Sequence, residues 1–354
     1  MKQIVLTGGG TAGHVTPNIA LIPELRNKGY EIAYIGSYDG IEKKLISELG
    51  IPYYGISSGK LRRYFDLKNF SDPFRVQKGF HEAVSILKEL KPDVIFSKGG
   101  FVAVPVVGAA RRLHIPCVIH ESDMTPGLAN RLCIPSAAKV CCNFPETVSS
   151  LPAQKAVLTG TPIREELFHG DAEKGRAFCG FTADKPVLLS IGGSLGAAAV
   201  NERLREILPD LLSDFQVVHL CGKGKTDESL SSTPGYVQFE YIKEELPDLF
   251  AMADVVLSRA GANAICEISA LKKPNLLIPL SARASRGDQI LNARSFEKQG
   301  FSMVLEEEEC TGPVLLRAIH ELYENRQKYI DQMAGSSHID SIRKITETIV
   351  SVSK

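Results

Sequence analysis

The chain has 354 residues, of which 41 are basic, 41 are acidic and 44% are hydrophobic, so its formal net charge is zero. This balance is not typical of nucleic-acid-binding proteins, and no apolar run reaches the roughly 18 residues that span a bilayer. The length predicts two domains, and the eight cysteines, with no C-x-x-C pair or zinc-type cluster, indicate a reducing cytosol. The first residues enter a strand directly, so we expect no signal peptide.

The first predicted strand, Gln3–Thr7, runs into a glycine-rich turn at 8–13, and a helical pattern follows from Asn18 to Lys28. Glycine lets a ligand approach the backbone, and a helix N-terminus attracts anions, so this turn predicts a phosphate site. The G-x-G-x-x-G spacing also fits a dinucleotide fingerprint. The second strand, Glu31–Ile35, does not end in the acidic residue that binds the ribose of NAD, which disfavours NAD.

His14 follows the last glycine of this turn and places a titratable ring at the mouth of the predicted anion site. The ordinary pKa of histidine, about 6.5, suits a general base near neutral pH. The alternative is a ring that only caps the turn. The residues by themselves leave both possibilities open.

Short apolar runs alternate with helical patterns over residues 1–160, which predicts an α/β fold with a parallel sheet covered on both faces. The predicted strands are Gln3–Thr7, Glu31–Ile35, Tyr53–Ile56, Val94–Ser97, Cys117–His120, Lys139–Cys142 and Ala156–Leu158. Ligands of such sheets bind beyond the carboxyl ends of the strands. The loops at 97–101 and 120–123 therefore join the glycine-rich turn at one rim, and they contain Gly99, Gly100, Glu121 and Asp123.

Residues 60–80 interrupt this alternation with large apolar side chains interleaved with basic ones. The members of this predicted membrane patch are Leu61, Arg62, Arg63, Phe65, Phe70, Phe74 and Arg75. A basic segment with exposed aromatic rings suits the surface of an anionic membrane. The alternative is an ordinary loop and helix whose aromatic rings lie in the core.

The first strand series ends at Gly160-Thr161-Pro162, and we predict a domain boundary there because proline cannot continue a strand ladder. A second series follows at Pro186–Ser190, Gln216–Leu220, Tyr236–Glu240, Val255–Ser258, Asn275–Ile278 and Ser302–Leu305. The predicted domains are residues 1–162 with 337–354, and residues 163–336. The terminal segment, Ser337 to Val350, is an amphipathic helix that we expect to cross back to the first domain.

The second half has its own glycine turn at 192–197, with a hydroxyl at Ser194, before a helix predicted from Ala198 to Leu208. This is again a phosphate-type turn. Glu267 lies about one turn into the helix after Val255–Ser258, where a carboxylate can accept hydrogen bonds from a ribose diol, as in other nucleotide folds. The alternative is an acid that interacts only with the helix dipole.

Short motifs are spread along the whole chain. They are Gly-Gly-Gly-Thr-Ala-Gly-His at 8–14, Lys-Gly-Gly-Phe at 98–101, His-Glu-Ser-Asp at 120–123, Gly-Thr-Pro-Ile-Arg at 160–164, Gly-Gly-Ser-Leu-Gly-Ala at 192–197, Ser-Arg-Ala-Gly-Ala at 258–262 and Gly-Asp-Gln at 287–289. In this order they resemble the MurG family, the glycosyltransferases that convert lipid I to lipid II in bacterial peptidoglycan synthesis. The resemblance implies a GT-B fold, with two Rossmann-like domains facing each other across a cleft.

The activity implied by the resemblance is an inverting transfer of N-acetylglucosamine from UDP-N-acetylglucosamine. The acceptor would be the 4-hydroxyl of the muramoyl sugar in undecaprenyl-pyrophosphoryl-N-acetylmuramoyl-pentapeptide. Such transferases need no cofactor or bound metal, and the chain has no D-x-D motif or metal-ligand cluster. The implied location is peripheral, on the cytoplasmic face of the cell membrane. Because the acceptor is anchored in the bilayer, the resemblance also favours the membrane interpretation of residues 60–80.

The resemblance assigns the nucleotide sugar mainly to the second domain. Arg164 and the backbone of Ile242 would contact uracil, and Glu267 would hold the ribose. The other residues implied around UDP-N-acetylglucosamine are Thr11, Ala12, Gly13, Asp123, Gly193, Ser194, Ala262, Asn263, Ala264, Ile265, Cys266 and Gln289. The glycines implied for the acceptor diphosphate are Gly9, Gly10, Gly13, Gly99 and Gly100.

Inverting transfer needs a general base for the acceptor hydroxyl. His14 is our first choice, and Glu121 and Asp123 are the alternatives. The family often has His-Glu-Gln-Asn where this chain has His-Glu-Ser-Asp at 120–123. A carboxylate at Asp123 accepts hydrogen bonds but cannot donate them as an amide does. The chain also has Ala12 where glycine is common.

Other functions remain open at this stage. A different GT-B transferase, acting on a diacylglycerol or a macrolide, would use the same donor loops. A non-catalytic nucleotide-sugar-binding protein would keep Glu267 and Arg164 without needing a base. A UDP-N-acetylglucosamine 2-epimerase shares the two-domain plan. We expect no nucleic-acid partner, and the resemblance allows protein partners from cell-wall synthesis.

Overall fold

The computed structural model describes residues 2–59, 72–192, 197–282, 287–336 and 340–354. The chain divides into two compact units, Met1–Arg164 with Asp340–Lys354, and Glu165–Ile339. The sequence placed the first boundary after residue 162, so Arg164, expected in the second domain, belongs instead to the first unit. Each unit contains one parallel sheet, which confirms the predicted α/β, Rossmann-like architecture.

A seven-stranded parallel sheet forms the first unit, with strand order β3-β2-β1-β4-β5-β6-β7. Its strands are β1 Lys2–Thr7, β2 Tyr30–Ser37, β3 Tyr53–Ile56, β4 Val94–Ser97, β5 Cys117–Glu121, β6 Lys139–Cys142 and β7 Ala156–Leu158. The strand order reverses between β1 and β4, where Thr7 pairs with Ser97. Ligands of open parallel sheets bind at such a reversal, so the loops after β1 and β4 are placed for binding.

A six-stranded parallel sheet forms the second unit, with strand order β10-β9-β8-β11-β12-β13. Its strands are β8 Val187–Ile191, β9 Gln216–Leu220, β10 Tyr236–Phe239, β11 Val255–Ser258, β12 Asn275–Leu277 and β13 Met303–Val304. Here the order reverses between β8 and β11. The loop that follows β11 therefore occupies the corresponding position in the second unit.

Helices cover the faces of both sheets, as the crossovers of parallel sheets require. They are α1 Ala12–Asn27, α2 Ile41–Ser47, α3 Asp72–Leu90, α4 Ala103–Arg112, α5 Leu128–Cys133, α6 Pro145–Ser150, α7 Ala172–Cys179, α8 Ala198–Glu206, α9 Leu208–Asp214, α10 Leu246–Met252, α11 Ala262–Ala270, α12 Asp288–Lys298, α13 Gly312–Glu324, α14 Arg326–Met333 and α15 Ser341–Val352. The helix predicted from Ala198 to Leu208 is α8, which ends at Glu206, and a new helix, α9, begins at Leu208 because Pro209 suits a first helical turn.

The start of α1 differs from the prediction in a way that matters for the site. The helical pattern was predicted to begin at Asn18, directly after Pro17, a residue type that is unfavourable in a helix interior. The observed helix already begins at Ala12, and Val15 and Asn18 are both buried. The side chain of Asn18 donates to the Thr7 carbonyl at 3.2 Å, which helps to hold the first turns against β1. Tertiary contacts therefore outweigh the local effect of the proline.

The core of the first unit lies on both faces of its sheet. Ile4 and Leu6 pack on one face and Val5 packs on the other, since side chains alternate along a strand. The terminal helix α15 packs against α1, and its Ile345 and Ile349 are fully buried. This packing confirms that the end of the chain returns to the first unit. Among the described residues, no helix is long and apolar enough to cross a membrane.

Candidate active site

The loops after β1, β4 and β5 meet at the carboxyl edge of the first sheet. Ser97 pairs with Thr7 on one side and with Ile119 on the other, so the three strands are direct neighbours. The first two loops touch, because a Cβ atom on Gly100 would lie 2.4 Å from the carbonyl oxygen of Gly9. Gly100 also has a φ of +83°, so a side chain there would be strained as well as blocked.

A buried carboxylate that the sequence did not single out lies beneath the glycine-rich turn. Glu42, on α2, accepts hydrogen bonds from the backbone N–H of Gly10 at 3.1 Å and of Ser37 at 3.0 Å. It also accepts from the Ser37 hydroxyl at 2.5 Å. A Cβ atom on Gly9 would lie 2.4 Å from this carboxylate. The N–H of Gly10 thus donates to the carboxylate of Glu42, whereas the sequence analysis expected it to face a phosphate of the ligand.

The glycines that surround Glu42 are the sequence feature from which its buried position could have been inferred. Cβ atoms on Gly36 and Gly40 would also collide with its side chain, at 2.8 and 2.2 Å respectively. Together with Gly9 these glycines leave room for one large side chain at the end of β2. From the sequence alone, an acidic residue in the first turn of a helix is expected to be solvent-exposed and to interact with the helix dipole. The buried position follows only from the fold.

His14 lies in the first turn of α1, half-buried, and not in a loop as predicted. Its Nδ1 atom is 2.9 Å from the hydroxyl of Thr11, which is the residue preceding the helix. Burial lowers the pKa of His14 to about 4, the positive charge of Lys98 acts in the same direction, and the Glu42 carboxylate opposes them. The ring is therefore neutral at physiological pH, and its pKa is below the ordinary value on which the sequence argument relied.

A buried lysine links the second and third loops. Lys98 places its ammonium 3.0 Å from Nδ1 of His120 and also donates to the hydroxyl of Ser122. The Nε2 atom of His120 is 2.8 Å from the carbonyl of Gly160, so Nε2 carries the proton and Nδ1 accepts from the lysine. Burial and the nearby lysine hold the pKa of His120 well below its usual range. Both residues were part of quoted motifs, but the sequence assigned them no role.

Glu121, an alternative base, is almost fully buried and hydrogen-bonded within its own loop. Its carboxylate accepts from the backbone N–H of Asp123 at 3.0 Å and of Gly127 at 3.1 Å, and from the Asn130 side chain at 2.9 Å. Burial raises its pKa, and these hydrogen bonds oppose that shift. The arrangement fixes the loop at 122–127 and does not leave Glu121 well placed as a base. The Asp123 side chain is half-buried.

In the second unit, α11 follows β11 and contains most of the residues implied for the nucleotide. Asn263, Ala264 and Glu267 are partly exposed. Ile265 and Cys266 are fully buried, so their side chains belong to the core. Both residues are 0% exposed, backbone included, so among these α11 residues the surface that a ligand can reach is formed by Asn263, Ala264 and Glu267. Ala262 is also buried.

Three further residues were implied for binding UDP-N-acetylglucosamine. Ile242 is buried and Arg164 is partly exposed. The side-chain oxygen of Gln289 accepts a hydrogen bond from the backbone N–H of Leu280 at 3.0 Å. Within the described part of the chain, the buried Nε of Arg164 has no hydrogen-bond partner. Gly193 and Ser194 lie outside the described residues, as do Leu61, Arg62, Arg63, Phe65 and Phe70 of the predicted membrane patch.

An ion pair that the sequence did not predict shapes the loop after β12. Arg259, in the motif that follows β11, pairs with the half-buried Glu307 and donates to the carbonyls of Ile278 and Pro279 at 3.1 and 3.2 Å. Glu307 in turn accepts from the backbone N–H of Ser281 at 3.0 Å. Arg259 is thus a structural residue, because its guanidinium binds carbonyls and a carboxylate of the protein.

In the described ranges, no group of three His, Cys, Asp or Glu side chains could hold a metal ion.

Comparisons with known proteins identify relatives of both units. The model of the glycosyltransferase family 28 N-terminal domain matches residues 4–142, and that of the C-terminal domain matches residues 187–349. A protein of Lachnoclostridium phytofermentans is 66% identical over 352 residues, which is 99% of each chain. A protein of Lachnospira eligens is 65% identical over 354 residues, which is 100% of each chain. Both are named UDP-N-acetylglucosamine--N-acetylmuramyl-(pentapeptide) pyrophosphoryl-undecaprenol N-acetylglucosamine transferase.

Solved structures share the fold over nearly the full length. Acinetobacter baumannii MurG has a TM-score of 0.78 and 27% identity, and the match covers 99% of this chain and 100% of that one. The UDP-GlcNAc 2-epimerase of Neisseria meningitidis, solved with UDP-GlcNAc bound, has a TM-score of 0.70 and 15% identity, covering 99% and 100%. At that identity the likeness to the epimerase concerns the fold alone.

Proposed function

The chain belongs to glycosyltransferase family 28, and we propose that it transfers N-acetylglucosamine from UDP-N-acetylglucosamine to lipid I, giving lipid II. The observation that carries this proposal is the 66% identity, over 99% of both chains, to a protein named for that transfer. The fold by itself does not distinguish a transferase from a 2-epimerase, since proteins of both kinds share it. The identity extends over both units, so it covers the acceptor loops as well as the donor loops.

Incubation of the purified chain with UDP-N-acetylglucosamine, with and without a lipid I analogue, tests this function. We expect UDP release and a disaccharide product only when the acceptor is present. UDP release or an epimerised sugar without acceptor would contradict the transfer and favour an epimerase. Binding of the nucleotide sugar with no product in either case would favour a non-catalytic protein. Diacylglycerol in place of the analogue should give no product.

In the proposed reaction, the acceptor's 4-hydroxyl oxygen attacks the anomeric carbon while the bond to UDP breaks. The electron pair of that bond goes to the diphosphate, and the hydroxyl proton goes to a base. We propose that His14 is this base, because it is half-buried, neutral and placed at the start of α1. Asp123 is the alternative. Glu121 is disfavoured, because its carboxylate already accepts hydrogen bonds from the loop at 122–127.

For the donor, we propose that Glu267 holds the ribose and that Gln289 contacts the sugar. Arg164 and the backbone of Ile242 are proposed to contact uracil. Backbone N–H groups of the glycine turn before α8 would receive the developing charge on UDP, since a helix N-terminus favours anions. Thr11, Ala12, Gly13 and Asp123 are proposed to contact the transferred sugar. A Glu267→Ala variant that keeps its KM for UDP-N-acetylglucosamine would contradict the ribose assignment.

We further propose that the first unit docks on an anionic membrane, because the acceptor is lipid-linked. Phe74, near the start of α3, is 74% exposed, and the neighbouring Arg75 and Lys78 are exposed too. An apolar ring among cations is the arrangement that inserts at a lipid headgroup layer. This location is peripheral, on the face of the membrane where the nucleotide sugar is available.

Phe74→Ser is expected to lower the partition coefficient onto phosphatidylglycerol vesicles by roughly tenfold, since burial of the ring in the interface is lost. Added salt should weaken the binding of the unaltered protein, because the cations are screened. Vesicle cosedimentation measures both effects. Phe168→Ser, at a ring that is 43% exposed in the second unit, is the matched control. Equal binding of the two variants would contradict docking through α3.

A further inference from the structure

A cavity of about 650 Å³ lies beside the glycine-rich turn, entirely within the first unit. It is lined by Gly10, by the loop at 37–41 after β2, by residues 56–58 at the end of β3, and by Arg75 and Lys78 of α3. The cavity thus runs from the turn that leads into α1, where His14 lies, to the helix that carries the exposed Phe74. Two of its lining residues had predicted roles, Gly10 at the acceptor diphosphate and Arg75 in the membrane patch, whereas Lys78 had none.

Several polar groups of the cavity wall are directed to the protein's own carboxylates. Glu42 accepts from the backbone N–H of Gly10 and from both donors of Ser37. Glu82, on α3, accepts from the backbone N–H of Ser57 at 2.6 Å and from the hydroxyl of Tyr38 at 3.0 Å. These donors are therefore already satisfied without a ligand. A buried carboxylate beneath Gly10 also opposes the approach of a second anion to that N–H.

The positive charge of the cavity comes from α3. Arg75 and Lys78 are one turn apart, and residues at this spacing lie on the same side of a helix. The Lys78 ammonium is 3.7 Å from Glu82, with 69% of its side chain exposed, so this pair is mostly hydrated and weak. Lys78 can therefore turn to a ligand at little cost, and Arg75 is exposed as well. Asp39 lines the same cavity and is exposed.

We propose that this cavity binds an anionic oxygen group of the acceptor, phosphate or carboxylate, through Arg75 and Lys78 rather than through the N–H groups of the glycine-rich turn. The inference rests on the proposed function and names the subsite for the acceptor's charge. The glycine-rich turn then acts as a rigid wall held by Glu42. An acceptor whose charge lies in the cavity would extend from the reacting hydroxyl near His14 towards the docking helix.

The test is the double variant Arg75→Gln/Lys78→Gln, which removes both charges and keeps long polar side chains. The acceptor is a short-chain, water-soluble lipid I analogue without vesicles, so that weaker membrane docking cannot change the result. We expect the KM for this acceptor to rise about tenfold, as loss of charge-assisted hydrogen bonds predicts, while the KM for UDP-N-acetylglucosamine stays constant. Lys88→Gln, an exposed lysine on α3 outside the cavity, is the matched control.

Two acceptors distinguish the sources of the anion. A rise in KM for analogues with and without the stem peptide assigns the cavity to the diphosphate, and a rise only with the peptide assigns it to a peptide carboxylate. Asp39→Asn should lower the acceptor KM about twofold, because it removes a repulsive charge. An active double variant with an unchanged acceptor KM would overturn the proposal.

Failure of the proposed function is recognised separately. If the unaltered protein transfers no sugar, the function is wrong, and the cavity is then tested by calorimetric titration with inorganic pyrophosphate. The cavity proposal predicts a Kd that is about tenfold weaker in the double variant than in Lys88→Gln. Equal Kd values, or no binding to any of these proteins, would overturn it without reference to turnover.

Discussion

Replacement of His14 by alanine is expected to lower kcat by about 10²- to 10⁴-fold, because a positioned general base acts in the transition state. The KM for UDP-N-acetylglucosamine should change little, since the ring is not expected to bind the nucleotide. Steady-state kinetics with both substrates saturating measures the effect. His81→Ala, at an exposed histidine on α3, is the matched control. Near-normal turnover of His14→Ala would show that His14 is not the base.

The pH profile gives an independent test of the same assignment. Burial and the charge of Lys98 disfavour the imidazolium form of His14, and its pKa is lowered to about 4. The base form is the neutral ring, so activity is lost as the pH falls through that value. We therefore expect the acid limb of the kcat/KM profile near pH 4, with His14 fully deprotonated at neutral pH. An acid limb near the ordinary value of about 6.5 would contradict this environment.

A low pKa has a chemical consequence for the mechanism. It keeps the base in its reactive form at neutral pH but makes the ring a weaker proton acceptor than free histidine. Bound acceptor, which brings negative charge, would raise the pKa of the ring in the complex.

Asp123→Ala separates the two candidates for the general base, His14 and Asp123. If it abolishes turnover while His14→Ala does not, the base is Asp123.

The second large effect is expected at Glu42. Glu42→Ala removes the acceptor for three donors, two from Ser37 and one from Gly10. Each donor left buried without a partner costs about 1–3 kcal/mol, and water in the vacated space restores part of this. We expect the free energy of unfolding to fall by about 2–5 kcal/mol, measured by urea denaturation.

Two further variants sharpen the test at Glu42. Glu48→Ala, at an exposed acid just after α2, should change the free energy of unfolding by no more than about 0.5 kcal/mol. Glu42→Gln keeps the shape but turns an amide N–H₂ towards backbone N–H groups, so we expect an intermediate loss. Because Glu42 holds the glycine-rich turn, folded Glu42→Ala should also have a lower kcat/KM for the acceptor. Equal stability of Glu42→Ala and Glu48→Ala would contradict this role.

Much of the fold and the family followed from local sequence. Apolar runs such as Val94–Ser97 and Val255–Ser258 are strands with the predicted bounds, because strands buried on both faces need continuous apolar residues. The glycine turn after β1 is a local requirement of backbone conformation, and the ordered motifs identified the family. The predicted start of α1, at Asn18, was wrong by six residues, since local helical periodicity does not show that Val15 and Asn18 are buried against the sheet.

The environment of the candidate site was decided only by tertiary structure. Glu42 meets Gly10 across 32 positions of sequence, and His120 meets the Gly160 carbonyl across 40. Neither contact leaves a periodic pattern in the chain, because each depends on which strands become neighbours. The lowered pKa of His14 likewise depends on burial and on Lys98, a residue of another loop. Sequence therefore determined which groups the protein carries, whereas folding determined their charge states and partners, because electrostatics and desolvation depend on distances in space.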